Sequence, residues 1–157
     1  MKDSFRTGVS FGMTSGIITT LGLIVGLNAS THSLMVVIGG IIVIAVADAL
    51  SDSMGIHVSE EAENKHTVRE IWEAMGATFI IKFLVAMSFI VPILFLGLAN
   101  GVIVDIIWAL SLTVVFSVHM AREQKHSCTR AVVEHLALTV AVVIITFLIG
   151  NWVATLG

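Results

Sequence analysis

Long apolar stretches alternate with short polar ones along the 157 residues of this chain. A helix needs about 20 mostly apolar residues to cross a bilayer, and five stretches reach that length. Because backbone groups in lipid must be hydrogen-bonded within the segment, each stretch is predicted to be a helix. The predicted helices cover about residues 8–27, 34–58, 74–98, 102–120 and 131–156, and Pro92 is expected to kink the third.

The connections between these helices are of two kinds. Residues 28–33 and 99–101 form turns without Lys or Arg, whereas residues 59–73 and 121–130 are charged. Basic residues mark the cytoplasmic side of membrane proteins, so the N-terminus is predicted to be cytoplasmic and the C-terminus to lie outside. The basic residues on this one side are Lys2, Arg6, Lys65, Arg69, Arg122, Lys125 and Arg130.

Composition supports a membrane protein. Hydrophobic residues make up 57% of the chain, charged residues 12%, and the mean hydropathy is +1.02. A soluble domain of this size could not cover so much apolar surface. The sequence therefore predicts one all-α transmembrane domain over residues 1–157. It contains no nucleophile constellation, phosphate-binding glycine loop or basic nucleic-acid patch, so neither an enzyme nor a nucleic-acid partner is expected.

Two carboxylates lie inside the second predicted helix. Asp48 and Asp52 are four residues apart and share one helix face. Counted back from Val58, they lie about 15 and about 9 Å deep. Carboxylates at such depth are costly unless they are paired or hydrated. One interpretation is a cation path in which these oxygens bind a hard divalent ion, while Met54 and His57 widen the choice to softer ions.

The third predicted helix supplies another explanation for these aspartates. Lys82 lies about 12 Å deep, between the depths of Asp48 and Asp52. An ion pair from Lys82 to either carboxylate would need no transport at all. The two interpretations are compatible if the lysine competes with a transported ion.

The charged segment 59–73 carries carboxylates and imidazoles at helical spacing. If helices two and three extend beyond the membrane, their acidic faces can meet and hold a divalent metal ion through oxygen and nitrogen ligands. The alternative is a solvated hairpin with ordinary pairs between residues four apart. The candidate ligands here are His57, Glu60, Glu63, His66, Glu70 and Glu73.

Small residues line the first helix at intervals that allow another helix to approach closely. This face is expected to pack either within the monomer or across a dimer. Five helices are few for an alternating-access carrier, so a homodimer is predicted. The glycines are Gly8, Gly12, Gly16, Gly22 and Gly26.

Other polar residues lie near the predicted helix ends. Asp105 is expected at the outer membrane interface. His119 and His135 lie near the cytoplasmic ends of helices four and five, where an imidazole can relay protons or simply hydrogen-bond the helix end.

Three stretches resemble the vacuolar iron transporter family. Residues 15–27, SGIITTLGLIVGL, resemble its first-helix signature, and residues 49–59, ALSDSMGIHVS, resemble its second-helix signature. Residues 147–150, FLIG, fit the close of helix five. The chain departs from the family pattern at three positions: Ser15 stands where the family has aspartate, Asp52 where it has methionine, and Ile56 where it has glutamate.

The resemblance implies a five-helix homodimer that exports ferrous iron or manganese from the cytoplasm in exchange for protons. It also implies the plasma membrane of a prokaryote, with the metal as cargo rather than cofactor. On this view Asp48 and Asp52 hold the ion within the membrane, and the segment 59–73 collects it on the cytoplasmic side. The alternatives are a proton or monovalent-cation pathway, and a non-transporting scaffold with a structural Asp–Lys pair.

Overall fold

The computed structural model describes residues 3–156, so the predicted cytoplasmic Lys2 lies outside the described range. Within that range the chain is helical and contains no strand, which confirms the all-α prediction. The helices are α1 (Asp3–Thr31), α2 (Leu34–Ala62), α3 (Val68–Ser88), α4 (Ile90–Glu123) and α5 (Cys128–Ala154).

Membrane-spanning character follows from the length and composition of these helices. Among the described residues, four helices are long and apolar enough to cross a membrane, with α3 and α4 taken as one stretch, Val68–Glu123. They indicate an integral membrane protein, as the hydrophobic pattern predicts.

Pro92 interrupts the helix from α3 to α4, as predicted. Because proline has no N–H, the carbonyl four residues earlier, that of Ser88, loses its helical partner. α3 ends at Ser88, and the Phe89 N–H turns back to the Ala86 carbonyl at 3.2 Å.

The chain then reverses direction at Gly97, where φ is 74° and ψ is 172°. Beyond this residue, Trp108 Nε1 donates a hydrogen bond of 3.2 Å to Ser88 Oγ. Twenty residues of continuous helix would separate those side chains by about 30 Å. The reversal therefore lies before the predicted turn at residues 99–101, which are helical. Glycine provides it because a positive φ costs glycine no steric clash.

α1 lies at the centre of the bundle and packs against all four other helices. Its glycines face α3 first and α5 later. A Cβ at Gly12 would lie 2.8 Å from the Thr78 carbonyl oxygen, and a Cβ at Gly22 would lie 2.9 Å from Val142. The glycine face is thus occupied within the monomer, so any dimer must use another surface.

The pairings along α1 also set the directions of the helices. Gly12 and Gly16 meet Thr78 and Lys82 in the same order, so α1 and α3 are parallel. Gly22 and Gly26 contact successive turns of α5 in the same order, so α1 and α5 are also parallel. Ser10, by contrast, contacts Met120 near the end of α4, so α4 is antiparallel to α1.

α2 and α3 extend into the charged segment, as one of the sequence interpretations requires. α2 continues to Ala62 and α3 begins at Val68, which leaves a short connection. Thr67 and Glu70 form a capping box at the start of α3, in which each side chain bonds the other's backbone N–H.

The first prediction concerns the α1–α3 contact. Gly12→Ala should lower the free energy of unfolding by about 1–3 kcal/mol, because the added methyl group meets the Thr78 carbonyl. Gly39→Ala is the matched control, since a Cβ there meets nothing within 4 Å. Thermal unfolding in detergent measures both variants, and equal melting temperatures would contradict this packing.

Candidate cation site

Lys82 is the largest fully buried side chain among the described residues, with 1% of its surface exposed. Its Nζ lies 2.6 Å from Asp48 Oδ2 and in direct contact with Asp52 Oδ2. Glycine at position 16 allows this placement, because the Lys82 backbone lies 3.3 Å from where a Cβ of residue 16 would be. The predicted ion pair is therefore confirmed, and it includes both aspartates.

Ser15 on α1 completes the cluster. Lys82 Nζ donates to Ser15 Oγ at 2.8 Å, and Ser15 Oγ donates to Asp52 Oδ2 at 2.6 Å. The Asp48 contact is a close ionic contact rather than a directed hydrogen bond. One ammonium thus lies among three oxygens from α1 and α2. We call Ser15, Asp48, Asp52 and Lys82 the cation site.

The cation site is closed toward the bundle and open on the α2 side. The Lys82 side chain is 2% exposed, whereas the side chains of Asp48 and Asp52 are 27% and 21% exposed. Ser51 and Gly55 are exposed beside them. These four α2 positions, at spacings of three and four, lie on one face of the helix and form a stripe of polar and small residues. We call it the α2 stripe.

The charges of the cation site do not cancel. Two carboxylates and one ammonium leave a net charge of −1. Desolvating charges is costly, and close pairing with extra hydrogen bonds is what offsets that cost. The ammonium occupies a position among carboxylate and hydroxyl oxygens, which are the ligands that hard metal cations prefer.

The remaining candidates on α2 lie apart from the cation site. The Met54 side chain is exposed. His57 packs edge-on against Trp72, with ring centroids 4.9 Å apart, and its buried Nδ1 has no hydrogen-bond partner among the described residues. Glu60 is buried, with its Oε2 3.3 Å from His66 Nε2.

The other predicted carboxylate ligands are engaged locally. Glu63 pairs with Lys65 at 3.4 Å, and Glu73 accepts from Arg69 at 2.8 Å. Glu70 caps α3. Within residues 3–156, no three Asp, Glu, His or Cys side chains come together as a metal site. The metal-collecting role of the segment 59–73 stays a prediction.

Two positions of the structure differ from sequence reasoning. Ser15 departs from the family motif, but its role as a ligand is not predicted, because α1 carries several other hydroxyl residues and nothing in the sequence distinguishes Ser15 from them. Asp105, expected at the interface, is 0% exposed inside the bundle. The reversal at Gly97 accounts for this, because it brings the start of the returning helix against Ile93.

Comparison with protein-family models, curated proteins and solved structures found no match to this chain. The resemblance to the vacuolar iron transporters therefore rests on the motifs alone.

The second prediction concerns the charge balance of the cation site. Asp48→Asn alone should cost little, because Lys82 keeps Asp52 and Ser15. Asp48→Asn with Asp52→Asn leaves a fully buried ammonium without a counter-charge, and should cost about 3–5 kcal/mol of unfolding free energy. Adding Lys82→Met to that double variant should restore stability. Thermal unfolding of the four proteins measures this, and a triple variant no more stable than the double variant would contradict the charge argument.

Proposed function

We propose that this protein is a membrane transporter of divalent metal cations, ferrous iron or manganese, and that the cation site binds the transported ion. The observation that carries this proposal is the Lys82 ammonium held among Asp48, Asp52 and Ser15. A cation already occupies the position that a metal ion would take. Transport then consists of exchanging the ammonium for the metal.

Charge arithmetic favours a divalent ion. With the Lys82 ammonium in place the cation site carries −1, and the two carboxylates without it carry −2. One divalent cation offsets that charge, so the metal takes the place that the ammonium leaves. The resemblance to the vacuolar iron transporters implies that the metal moves against protons.

Five membrane spans fit the directions of the helices. The hydrogen bond between Ser88 and Trp108 and the close approach of Ile93 and Gly101 support two antiparallel spans between Val68 and Glu123. Arg6 lies 4.0 Å from Glu123, so the basic residues Arg6 and Arg122 both lie at the end where α1 begins. The positive-inside rule makes that end cytoplasmic. Export from the cytoplasm is the direction that the resemblance implies.

The α2 stripe supports a homodimer. Carboxylates facing lipid are costly, so the partly exposed Asp48 and Asp52 need water or protein beside them. A second copy, packed stripe to stripe, would cover both carboxylates and enclose a path between the subunits. The glycine face of α1 is not available for this contact, because α3 and α5 cover it.

The third prediction tests exchange at Lys82. Lys82→Arg keeps the positive charge, but its planar guanidinium can hold carboxylates through two parallel hydrogen bonds, so an incoming ion displaces it less readily. This variant should remain folded, while Mn²⁺ uptake into proteoliposomes falls to the rate of protein-free vesicles. Lys65→Arg, at an exposed position, is the matched control and should transport normally.

A companion variant separates binding from exchange. Lys82→Met should bind Mn²⁺ at least about tenfold more tightly, since a unit charge 4 Å away is worth about 4 kcal/mol at an effective dielectric of 20. Normal transport by Lys82→Arg would refute the exchange. Flux of monovalent cations or protons alone by the wild type would favour the monovalent pathway, and no flux of any ion would favour the scaffold.

The fourth prediction concerns the dimer. In a Cys128→Ser background, Gly55→Cys should form a disulfide-linked dimer on mild oxidation, because the α2 stripe faces its copy. Val115→Cys, on an exposed face of α4, is the control and should stay monomeric. Gel electrophoresis of oxidised membranes measures both, and equal crosslinking would rule out this interface.

A further inference from the structure

A second carboxylate lies deep in the bundle, apart from the cation site. Asp105 on α4 is 0% exposed, and neither of its carboxylate oxygens has a hydrogen-bond partner among the described residues. It lies eight residues beyond the reversal at Gly97, or about 12 Å along the helix. A buried carboxylate without a partner carries a large desolvation cost unless it is neutral.

The charged groups on neighbouring helices do not offset Asp105. α1 has no titratable residue from Thr7 to Thr31. The charged and titratable groups of α5 lie near its start, and Lys82 on α3 is held by the two aspartates of α2. The charged residues and histidines of α5 are Arg130, Glu134 and His135, and besides Asp105 those of α4 are His119, Arg122 and Glu123 near its end.

Asp105 begins a file of buried positions on one face of α4. Residues 105, 109, 113 and 117 recur every fourth position, and all four are buried. Ala109 is small, and the next two side chains are the hydroxyls of Thr113 and Ser117. The file therefore runs from Asp105 toward the end of the bundle where α1 begins.

α5 continues this file with polar groups of its own. Thr113 Oγ1 lies 3.5 Å from Thr139 Oγ1, and Ser117 Oγ lies 2.7 Å from His135 Nδ1. A cavity of about 30 Å³ adjoins these four side chains, and the rest of its wall is mostly apolar. Hydroxyls and an imidazole are groups that can pass protons.

α1 separates the file from the cation site. Thr14 lines the cavity against α4 and α5, whereas Ser15, the next residue, bonds Lys82 and Asp52 on the opposite side. A displacement of α1 would therefore change the geometry of the cavity and of the cation site together.

We propose that Asp105 is a proton-binding residue, and that Thr113, Ser117, Thr139 and His135 form the proton route between it and the cytoplasmic end. The inference rests on the proposed transport, and it deepens it by naming the residue that carries the exchanged proton. Asp105 binds and releases one proton for each divalent cation moved.

The protonation of Asp105 can be tested without transport. Infrared spectra of the purified full-length protein should contain a carbonyl band from a protonated carboxyl group. Asp105→Asn should remove that band, Asp105→Glu should shift it, and Asp48→Asn should leave it. A band unaffected by both changes at Asp105 would overturn the proposal, whether or not the protein moves metal.

The second arm measures stoichiometry in proteoliposomes that contain a pH dye and are supplied with Mn²⁺. The wild type should move protons in exchange for Mn²⁺, and Asp105→Asn should lower the number of protons moved per Mn²⁺ while keeping wild-type Mn²⁺ binding. Ser117→Ala should slow proton movement, whereas Ser111→Ala, an exposed hydroxyl on the same helix, should not. An unchanged ratio in Asp105→Asn would overturn the proposal. Absence of Mn²⁺ flux in the wild type would refute the proposed function, and the infrared band would then decide the role of Asp105.

Discussion

A fully buried ammonium governs how this bundle is held together. Lys82 lies among apolar helices, where an unpaired charge would cost several kcal/mol, so α1 and α2 must bring oxygens to it. Asp48 and Asp52 arrive from α2 and Ser15 from α1. The relative positions of the three helices follow from this requirement. The same requirement places two carboxylates within an apolar span, where they are partly exposed and able to meet an ion.

The glycines of α1 make the cluster geometrically possible. Gly8, Gly12 and Gly16 bring α3 so close that the Lys82 backbone nearly touches α1, and its side chain then reaches across to α2. Because α1 contacts every other helix, it also borders the buried file on α4 and α5. One central helix therefore lies between the cation site and the proposed proton route. This arrangement gives a physical basis for coupling them.

The helices and the Lys82 ion pair can be predicted from the sequence. The position of the chain reversal and two of the site residues cannot, for physical reasons. Apolar length predicts helices, and the depth count places Lys82 between the two aspartates. The position of the reversal was not predicted, because residues 99–101 and Gly97 offer similar turn chemistry and only Gly97 adopts the positive φ. Ser15 and Asp105 were missed as site residues, because their roles depend on neighbours far along the chain. Periodicity along one helix carries no information about such contacts.

The most direct measurement of the central claim is a structure of the protein crystallised with Mn²⁺, using the anomalous scattering of manganese to locate the ion. We expect an anomalous peak between Asp48 and Asp52, with the Lys82 amino group moved out of contact with both carboxylates. The claim would be contradicted by a structure at saturating Mn²⁺ in which Lys82 still contacts both aspartates and the site holds no manganese.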